Sequence, residues 1–380
     1  MFLTNQMGQQ SSFSEMLELY CLNQKILKGW TFIVATIEPN NINLYEGMEE
    51  FEGIKERLFT PFANGRVSVI NDRILRRCLW KNDSRSRTFR NVSFDTQTVS
   101  YIERYYKNGT VPYKGFDSVV KLLNGAGFGI DHIPYTLENM LFDTSRKNSV
   151  EQTLYAYEML CSENAGNERI CRNRAHAIVS MYENKEFVIP FRTKELYKMV
   201  YLSLLKMSQI QLGYDNLSIN DKLDLFVDFM ATSICKIMQP EINLAKHYFT
   251  KGNGCGFFGK IQLGNKNMLN QLKNMTWDLL HLRFMDYTSV MFNAKKADAM
   301  IPYFFTYDKR LQDIRTCYSL QALAINPKKL SVIPIYVFHD EVLNIAKRHL
   351  TFEKHKERME CKSDIDSLIE ICEKELLKMG

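Results

Sequence analysis

Two aspartates each end an apolar segment that predicts a β-strand. Asp95 closes the segment Asn91-Val-Ser-Phe-Asp95, and Asp308 closes Ile301-Pro-Tyr-Phe-Phe-Thr-Tyr-Asp308. Ligands of an open parallel sheet bind beyond the carboxyl ends of its strands, so we expect both carboxylates at one edge. Two neighbouring carboxylates repel each other unless a cation lies between them. Oxygen clusters of this kind bind hard divalent ions such as Mg²⁺ and Mn²⁺.

Two further acids fit the same kind of site. Glu138 follows a glycine-rich turn, and the sequence predicts a helix with Thr136 as its N-cap and Glu138 in its first turn. Asp278 lies in a predicted helix over 267–286, beside the apolar residues of that helix, so its side chain is expected to point inward. With the two strand-end aspartates, these residues make a candidate four-carboxylate site.

The four acidic segments resemble the motifs of PIN-like metal-dependent nucleases and occur in that family's order. The matching segments are Val92-Ser-Phe-Asp95-Thr96, Pro134-Tyr-Thr-Leu-Glu138, Trp277-Asp278-Leu-Leu-His-Leu and Phe304-Phe-Thr306-Tyr-Asp308. Two features depart from the family pattern. Gln97 stands where the family often has Asn, and the stretch between the second and third acids is unusually long.

The resemblance implies an α/β fold in which a PIN-like parallel sheet is flanked by helices. We expect an N-terminal mixed segment with a basic stretch, two halves of the core separated by a long all-α insertion, and a helical tail. The expected ranges are 1–90, 91–145, 146–265, 266–340 and 341–380. Apolar residues at three- and four-residue steps predict the helices of the insertion. Within the second half we expect a helix over 309–324 and a strand over 330–338.

The family mechanism is hydrolysis of phosphodiester bonds, and the resemblance implies an endoribonuclease. Asp95 and Asp308 would bind Mg²⁺ or Mn²⁺ directly, which lowers the pKa of a bound water. Asp278 would bind directly or through water, and Glu138 would hold metal-bound water or act on the nucleophile.

Two threonines have a supporting role in the same resemblance. Thr306 and Thr96 would hydrogen-bond the metal ligands, as residues surrounding a metal site commonly do. Analogy with the family further suggests a toxin or bacterial defence effector, which implies a protein inhibitor or activator as partner.

A basic stretch over 73–90 precedes the first predicted catalytic strand. Trp80 and Phe89 are interleaved with its cations, a pattern typical of single-stranded nucleic-acid sites. A solvated surface is the alternative interpretation. The arginines assigned to nucleic-acid binding are Arg76, Arg77, Arg85, Arg87 and Arg90.

Each acid also has an alternative interpretation in which its role is only structural. Asp95 and Asp308 could be helix N-caps, and Glu138 could be an acid favoured by a helix dipole. Asp278 could pair with Arg283 on a solvated face.

Other motifs define competing functions. Arg169 and His176 match the RxxxxxxH pattern of metal-independent HEPN-type ribonucleases, and this spacing places both on one helix face. A non-catalytic nucleic-acid-binding or scaffold protein with a PIN-like core is the third hypothesis.

The glycine-rich segment 251–260 fits GxxxxGK but lacks the following Ser or Thr, so we expect a flexible loop. His281 is expected to be a packed core histidine.

Composition bounds the class of protein. Hydrophobic residues make up 45% and charged residues 24%, with a net charge of +6, which is typical of a globular protein that tolerates a polyanionic partner. The cysteines number 9 without a CxxC pair, which favours reduced thiols in a cytoplasmic protein over a disulfide framework or zinc knuckle. The apolar stretch 331–338 is too short to span a bilayer, so we expect no membrane partner.

Overall fold

A computed structural model describes most of the chain. The described residues are 2–10, 12–38, 41–48, 54, 56–81, 83–111, 113, 115–125, 127–184, 193–291, 297–337 and 339–379. They form an α/β structure with many helices and two β-sheets. The chain divides into two compact units. The first is Met1–Phe191, Arg283–Asp308 and Leu320–Ile335, and the second is Arg192–Leu282, Lys309–Ser319 and Tyr336–Gly380.

The strands of the described residues lie almost wholly in the first unit. They are β1 Thr31–Ala35, β2 Ile42–Asn43, β3 Leu58–Phe59, β4 Arg66–Ile70, β5 Thr88–Phe94, β6 Phe128–Asp131, β7 Ala299–Phe305, β8 Leu320–Asn326 and β9 Ser331–Tyr336.

The helices are distributed over both units. They are α1 Phe2–Gly8, α2 Phe13–Leu22, α3 Gln24–Leu27, α4 Asp72–Lys81, α5 Thr96–Asn108, α6 Phe116–Gly125, α7 Ile133–Met140, α8 Lys147–Cys161, α9 Glu168–Glu183, α10 Thr193–Gly213, α11 Ile219–Phe229, α12 Gln239–Lys251, α13 Met268–Met291, α14 Lys309–Ile314, α15 Asp340–Ala346, α16 Phe352–Glu360 and α17 Ile365–Lys378. Among the helices described, none is both long and apolar enough to cross a bilayer.

Sheet A has the strand order β2-β4-β1-β8-β9. Its central strand β1 pairs antiparallel with β4 and with β8, and the β-branched residues of β1 and β4 favour this extended backbone. The helix expected over 309–324 is therefore wrong in its second half, since α14 ends at Ile314 and the chain becomes β8. The residues of β8 are buried at almost every position. A short strand that is buried on both faces shows no alternation of apolar and polar residues, so its sequence resembles that of a buried helix.

Sheet B has the order β3-β7-β5-β6 and carries the candidate site. β5 lies parallel to both β6 and β7, whereas β3 is antiparallel to β7. The sheet is therefore mixed, not the wholly parallel sheet that was expected. β7 is buried along its entire length, as expected for a strand covered on both faces. The strand expected over 330–338 exists as β9 but belongs to sheet A, and Phe338 lies outside the described residues.

Helix α7 begins earlier than the sequence indicated. It starts at Ile133, so Glu138 lies in its second turn and not in the first. Thr136 is not the N-cap: its hydroxyl donates to the carbonyls of His132 and Ile133, at 3.3 Å and 3.0 Å. Pro134 near the helix start is the signal that was overlooked, because proline is favoured in the first turn of a helix.

The helices of the predicted insertion, 146–265, are shared between the units: α8 and α9 fall in the first, and α10 to α12 in the second. Within the second unit, α11 ends in a π-helical turn, Met230–Ile234, and α12 follows as a separate helix. The glycine-rich segment forms two short 3₁₀ turns, Gly252–Gly254 and Gly256–Phe258.

Two cysteines of the second unit form a disulfide. Cys235 and Cys361 are bonded, with Cα atoms 6.2 Å apart and a sequence separation of 126. The expectation of reduced thiols is wrong for this pair. The other cysteines are free thiols. Pairing over so long a loop leaves no local spacing signal in the sequence.

Candidate metal-binding carboxylate site

Asp95 lies directly after β5 and caps the next helix. Its Oδ1 atom accepts a hydrogen bond of 2.6 Å from the backbone N–H of Thr98, which makes Asp95 the N-cap of α5. The capping interpretation of Asp95 is therefore correct, but capping does not use every hydrogen-bond acceptor position of the carboxylate. An ionised carboxylate has about four acceptor positions, so one oxygen can cap a helix while others bind a ligand.

The end of β7 brings Thr306 against Asp95. The Asp95 backbone N–H donates to the carbonyl of Phe305 at 3.3 Å, which extends the parallel pairing by one residue. The fully buried Thr306 hydroxyl then donates to Oδ2 of Asp95 and accepts the backbone N–H of Asp308 at 2.9 Å. One threonine hydroxyl thus links both aspartate segments, whereas its role beside a metal ion stays a prediction.

Asp95 occupies the topological switch point of sheet B. The chain leaves β5 through α5 and α6 and returns as β6 on one side, whereas β7 lies on the other side of β5. Crossover connections that diverge on either side of a strand leave a crevice beyond its carboxyl end. A carboxylate at that position is placed where open α/β sheets bind ligands.

Glu138 reaches the same edge from α7. Its Oε2 atom accepts a hydrogen bond from the hydroxyl of Thr96, the residue after Asp95. Burial raises the pKa of the Glu138 carboxyl to about 6, and the neighbouring Asp95 charge adds to the rise. The hydrogen bond from Thr96 and the nearby Arg146 guanidinium oppose it.

Asp308 completes a group of three acids. Burial raises the pKa of Asp95, which is 5% exposed, and the Asp308 charge raises it further. Hydrogen bonds from Thr306 and Thr98 act in the opposite direction. Asp308 lies three positions beyond the end of β7, so the strand does not end on the acid as the sequence suggested. Asp95, Glu138 and Asp308, hereafter the carboxylate site, therefore interact electrostatically within the first unit.

The donor type of the carboxylate site is that of a hard divalent cation, but its ligand atoms do not all lie within 4.8 Å of one another. Its donors are carboxylate oxygens, the ligands preferred by Mg²⁺ and Mn²⁺. Burial makes the ionised state of Asp95 and of Glu138 unfavourable, and the charge of a neighbouring acid adds to this in each case. A cation among them would remove that cost, since an opposite charge within a few ångströms favours the ionised form.

Asp278 lies in the second unit, half-buried on α13. Its assignment as a further ligand stays a prediction. His281, on the same helix, is 1% exposed and thus lies in the interior as expected.

A further acid, which is buried, was missed because β6 was not recognised. Asp131 ends β6 beside Ser93, and its carboxylate accepts hydrogen bonds from the Ser93 hydroxyl at 2.8 Å and from the Asn91 amide. Its second oxygen accepts the backbone N–H of Ile133 at 3.0 Å. Asp131 therefore anchors the start of α7, the helix that carries Glu138, and burial raises its pKa to about 6.

Cations and aromatic rings adjoin the acids. Arg146 interacts with Glu138, and the Tyr307 side chain interacts with Asp95. Tyr307 stacks on Tyr113 with ring centroids 4.1 Å apart. The guanidinium of Arg57 lies over the Tyr307 ring, 4.7 Å from its centroid. None of these residues was singled out from the sequence: Tyr307 lies within the fourth acidic motif but is not an acid, and the others lie outside the motifs.

The five arginines assigned to nucleic-acid binding have different environments. Arg77 forms a 2.8 Å ion pair with buried Asp298, so the charge of Arg77 has a structural role. Arg90 donates to a backbone carbonyl and lies over the Phe128 ring. Arg76, Arg85 and Arg87 are exposed.

Trp80 is 83% exposed on α4, in keeping with the stacking role predicted for it. Nucleic-acid binding by this stretch stays a prediction.

Arg169 and His176 are both exposed on α9. His176 Nδ1 lies 3.3 Å from a carboxylate oxygen of Glu151, a residue that is not part of the RxxxxxxH pattern. The metal-independent alternative stays a prediction from spacing alone.

Comparison of the chain with protein-family models, with curated proteins and with solved structures finds no match. The interpretation of the carboxylate site therefore depends on its own geometry and chemistry.

Proposed function

We propose that this chain is a PIN-like, metal-dependent nuclease, an endoribonuclease that hydrolyses phosphodiester bonds at the carboxyl edge of sheet B. The observation that supports the proposal is that Asp95, which follows the central parallel strand of sheet B, interacts electrostatically with both Glu138 and Asp308. The parallel order β6-β5-β7 within the mixed sheet is in keeping with a PIN-like core.

Asp95 and Asp308 are the proposed direct ligands of Mg²⁺ or Mn²⁺. Such an ion, when bound, supplies an activated water and stabilises the charge that develops on the scissile phosphate. Thr306 orients both aspartates through its single hydroxyl, which donates to one and accepts from the backbone of the other.

Glu138 is the proposed proton acceptor. Its carboxyl has a pKa of about 6 in the absence of a cation, close to the range in which a general base works best. Thr96 donates a hydrogen bond to Oε2 and orients the carboxylate that would take a proton from the attacking water. The proton then passes from Glu138 to solvent, since the Glu138 side chain is only half-buried.

RNA is the proposed substrate because rings and cations adjoin the acids. Tyr113, which is partly exposed and stacks on the buried Tyr307, offers a ring for an unpaired base, and base stacking on such rings is typical of single-strand binding. Arg57 and Arg146 would neutralise phosphates on either side of the cleaved bond.

Cleavage of single-stranded RNA tests the proposal. We expect the wild-type chain to cleave with Mg²⁺ or Mn²⁺ and to stop on addition of EDTA. Asp95→Asn and Asp308→Asn should each reduce the rate at least about 100-fold, since removing a ligand exceeds the 10- to 100-fold effect of losing a supporting residue.

The matched control is Asp143→Asn, an exposed acid in the same unit, which should cleave at the wild-type rate. Equal activity in all variants, or cleavage that persists in EDTA, would contradict the proposal. Binding of RNA without turnover would instead support the non-catalytic alternative.

A further inference from the structure

A second group of potential ligands lies in the other unit, independent of the carboxylate site. His247, Cys255 and Asp313 each present one ligand atom, and these atoms all lie within 4.8 Å of one another. His247 comes from α12, Cys255 from the turn between the two 3₁₀ segments, and Asp313 from α14. Three separate elements of the second unit therefore converge on one point.

The spacing suits a shared ion better than a direct bond. Nε2 of His247 and Oδ2 of Asp313 are 3.6 Å apart, which is too long for a hydrogen bond. Two ligands of one tetrahedral zinc ion, at about 2.0–2.1 Å from the metal, are about 3.4 Å apart. Nε2 of His247 is moreover buried without a hydrogen-bond partner, a state that a metal ion would satisfy.

The surroundings of each ligand also favour an ion. Cys255 is fully buried, and the backbone N–H groups of Phe257 and Phe258 are directed at its sulfur. Asp313 gives its other oxygen, Oδ1, to Lys251 at 3.0 Å, which leaves Oδ2 for the metal. Hydrogen bonds of this kind orient metal ligands in known sites.

We propose that His247, Cys255 and Asp313 bind a zinc ion that fastens the glycine-rich segment between α12 and α14. A thiolate together with an imidazole selects zinc over Mg²⁺ or Mn²⁺, which prefer oxygen ligands. The thiolate and the carboxylate balance the charge of the divalent ion. The proposed site is not a zinc knuckle and contains no CxxC pair, so it does not conflict with the expectation drawn from the cysteine spacing.

Metal content of the purified chain, with no affinity tag, tests the site. We expect about one zinc per chain by mass spectrometry, and less than about one-tenth of that in Cys255→Ser and in Asp313→Asn. Replacement by Co²⁺ should give a thiolate charge-transfer band that Cys255→Ser abolishes. Cys171→Ser, a buried free cysteine of the first unit, is the matched control and should retain the metal.

Asparagine has nearly the same shape as aspartate, and the Asp313 side chain is partly exposed, so Asp313→Asn distinguishes loss of the metal from misfolding. The circular dichroism spectrum of this variant should match that of the wild type. Zinc retained in Asp313→Asn and Cys255→Ser would overturn the proposal, as would a wild-type chain that takes up neither Zn²⁺ nor Co²⁺. A disulfide between Cys255 and its free neighbour Cys317, found by peptide mapping, would also overturn it.

Discussion

At the scale of single residues, the carboxylate site depends on hydroxyl groups as much as on acids. Thr306 is completely buried, and its hydroxyl donates to the Asp95 carboxylate and accepts the backbone N–H of Asp308. Thr96 performs the equivalent task for Glu138. The resemblance pointed to both threonines, since Thr96 directly follows Asp95 and Thr306 lies two positions before Asp308 in the same motif.

Thr306→Val tests this supporting role. Valine has nearly the same shape but cannot donate to Asp95 or accept from the Asp308 amide, so we expect metal affinity to fall about 10- to 100-fold. Titration with Mn²⁺ by calorimetry measures the change, and Thr306→Ser should restore most of the affinity. Equal affinity in the valine and serine variants would contradict the role.

Asp131 predicts a defined pH dependence of stability. Burial raises its pKa from 3.8 to about 6, so the folded chain binds this proton more tightly than the unfolded chain. The stabilisation is fully present below the unfolded pKa and is lost as the pH rises through about 6. The loss is about 3 kcal/mol at most, from the energy equivalent of such a pKa rise.

Urea unfolding of wild type and Asp131→Asn measures this effect. We expect the stability of the wild type relative to the variant to fall between about pH 4 and pH 6. Asp143→Asn is the control, because hydrogen bonds from Ser145 lower the pKa of Asp143 and its effect has the opposite sign. A pH-independent difference for Asp131→Asn would contradict the assignment.

At the scale of elements, the sequence predicted those that have a clear period or cap. β5 and α5 were predicted because an apolar strand meets an aspartate that caps the next helix. β6 was missed because its four residues follow glycines and include one. β8 was predicted as helix because its residues are buried on both faces, which hides the alternation typical of a strand. Missing β6 also concealed Asp131. Three of the four predicted acids nevertheless interact in the first unit.

Gly129 in β6 gives a prediction at this scale. A Cβ atom there would lie 2.5 Å from the ring of Phe89 and 2.7 Å from Oδ1 of Asn91, the residue that binds Asp131. Gly129→Ala should therefore reduce stability by about 1–3 kcal/mol, the usual cost of overpacking. Gly125→Ala, where a Cβ meets nothing within 4 Å, should be neutral or stabilising. Thermal unfolding distinguishes them, and equal midpoints would contradict the packing argument.

At the scale of the whole molecule, the sequence resemblance extends over both units, whereas the described carboxylate site belongs to the first alone. The second unit contains the disulfide and the proposed zinc ligands. Both link positions far apart in sequence, and for that reason neither has a local spacing that could be recognised.

The disulfide predicts that the second unit is sensitive to reductant. Closing a loop of 126 residues restricts the unfolded chain, so the double variant Cys235→Ser, Cys361→Ser should lose about 2–4 kcal/mol. Denaturant unfolding measures the loss, and Cys171→Ser serves as control. If thiol titration of the unreduced, denatured chain finds all 9 cysteines free, the linkage is wrong.

The carboxylate site is the central claim, and a crystal soaked in Mn²⁺ tests it most directly. We predict an anomalous peak between Asp95 and Asp308, about 2.1 Å from their carboxylate oxygens, with Glu138 beside it. The same soak of Asp95→Asn should remove that peak. Manganese that binds elsewhere, or a wild-type crystal with no peak at the carboxyl end of β5, would contradict the account.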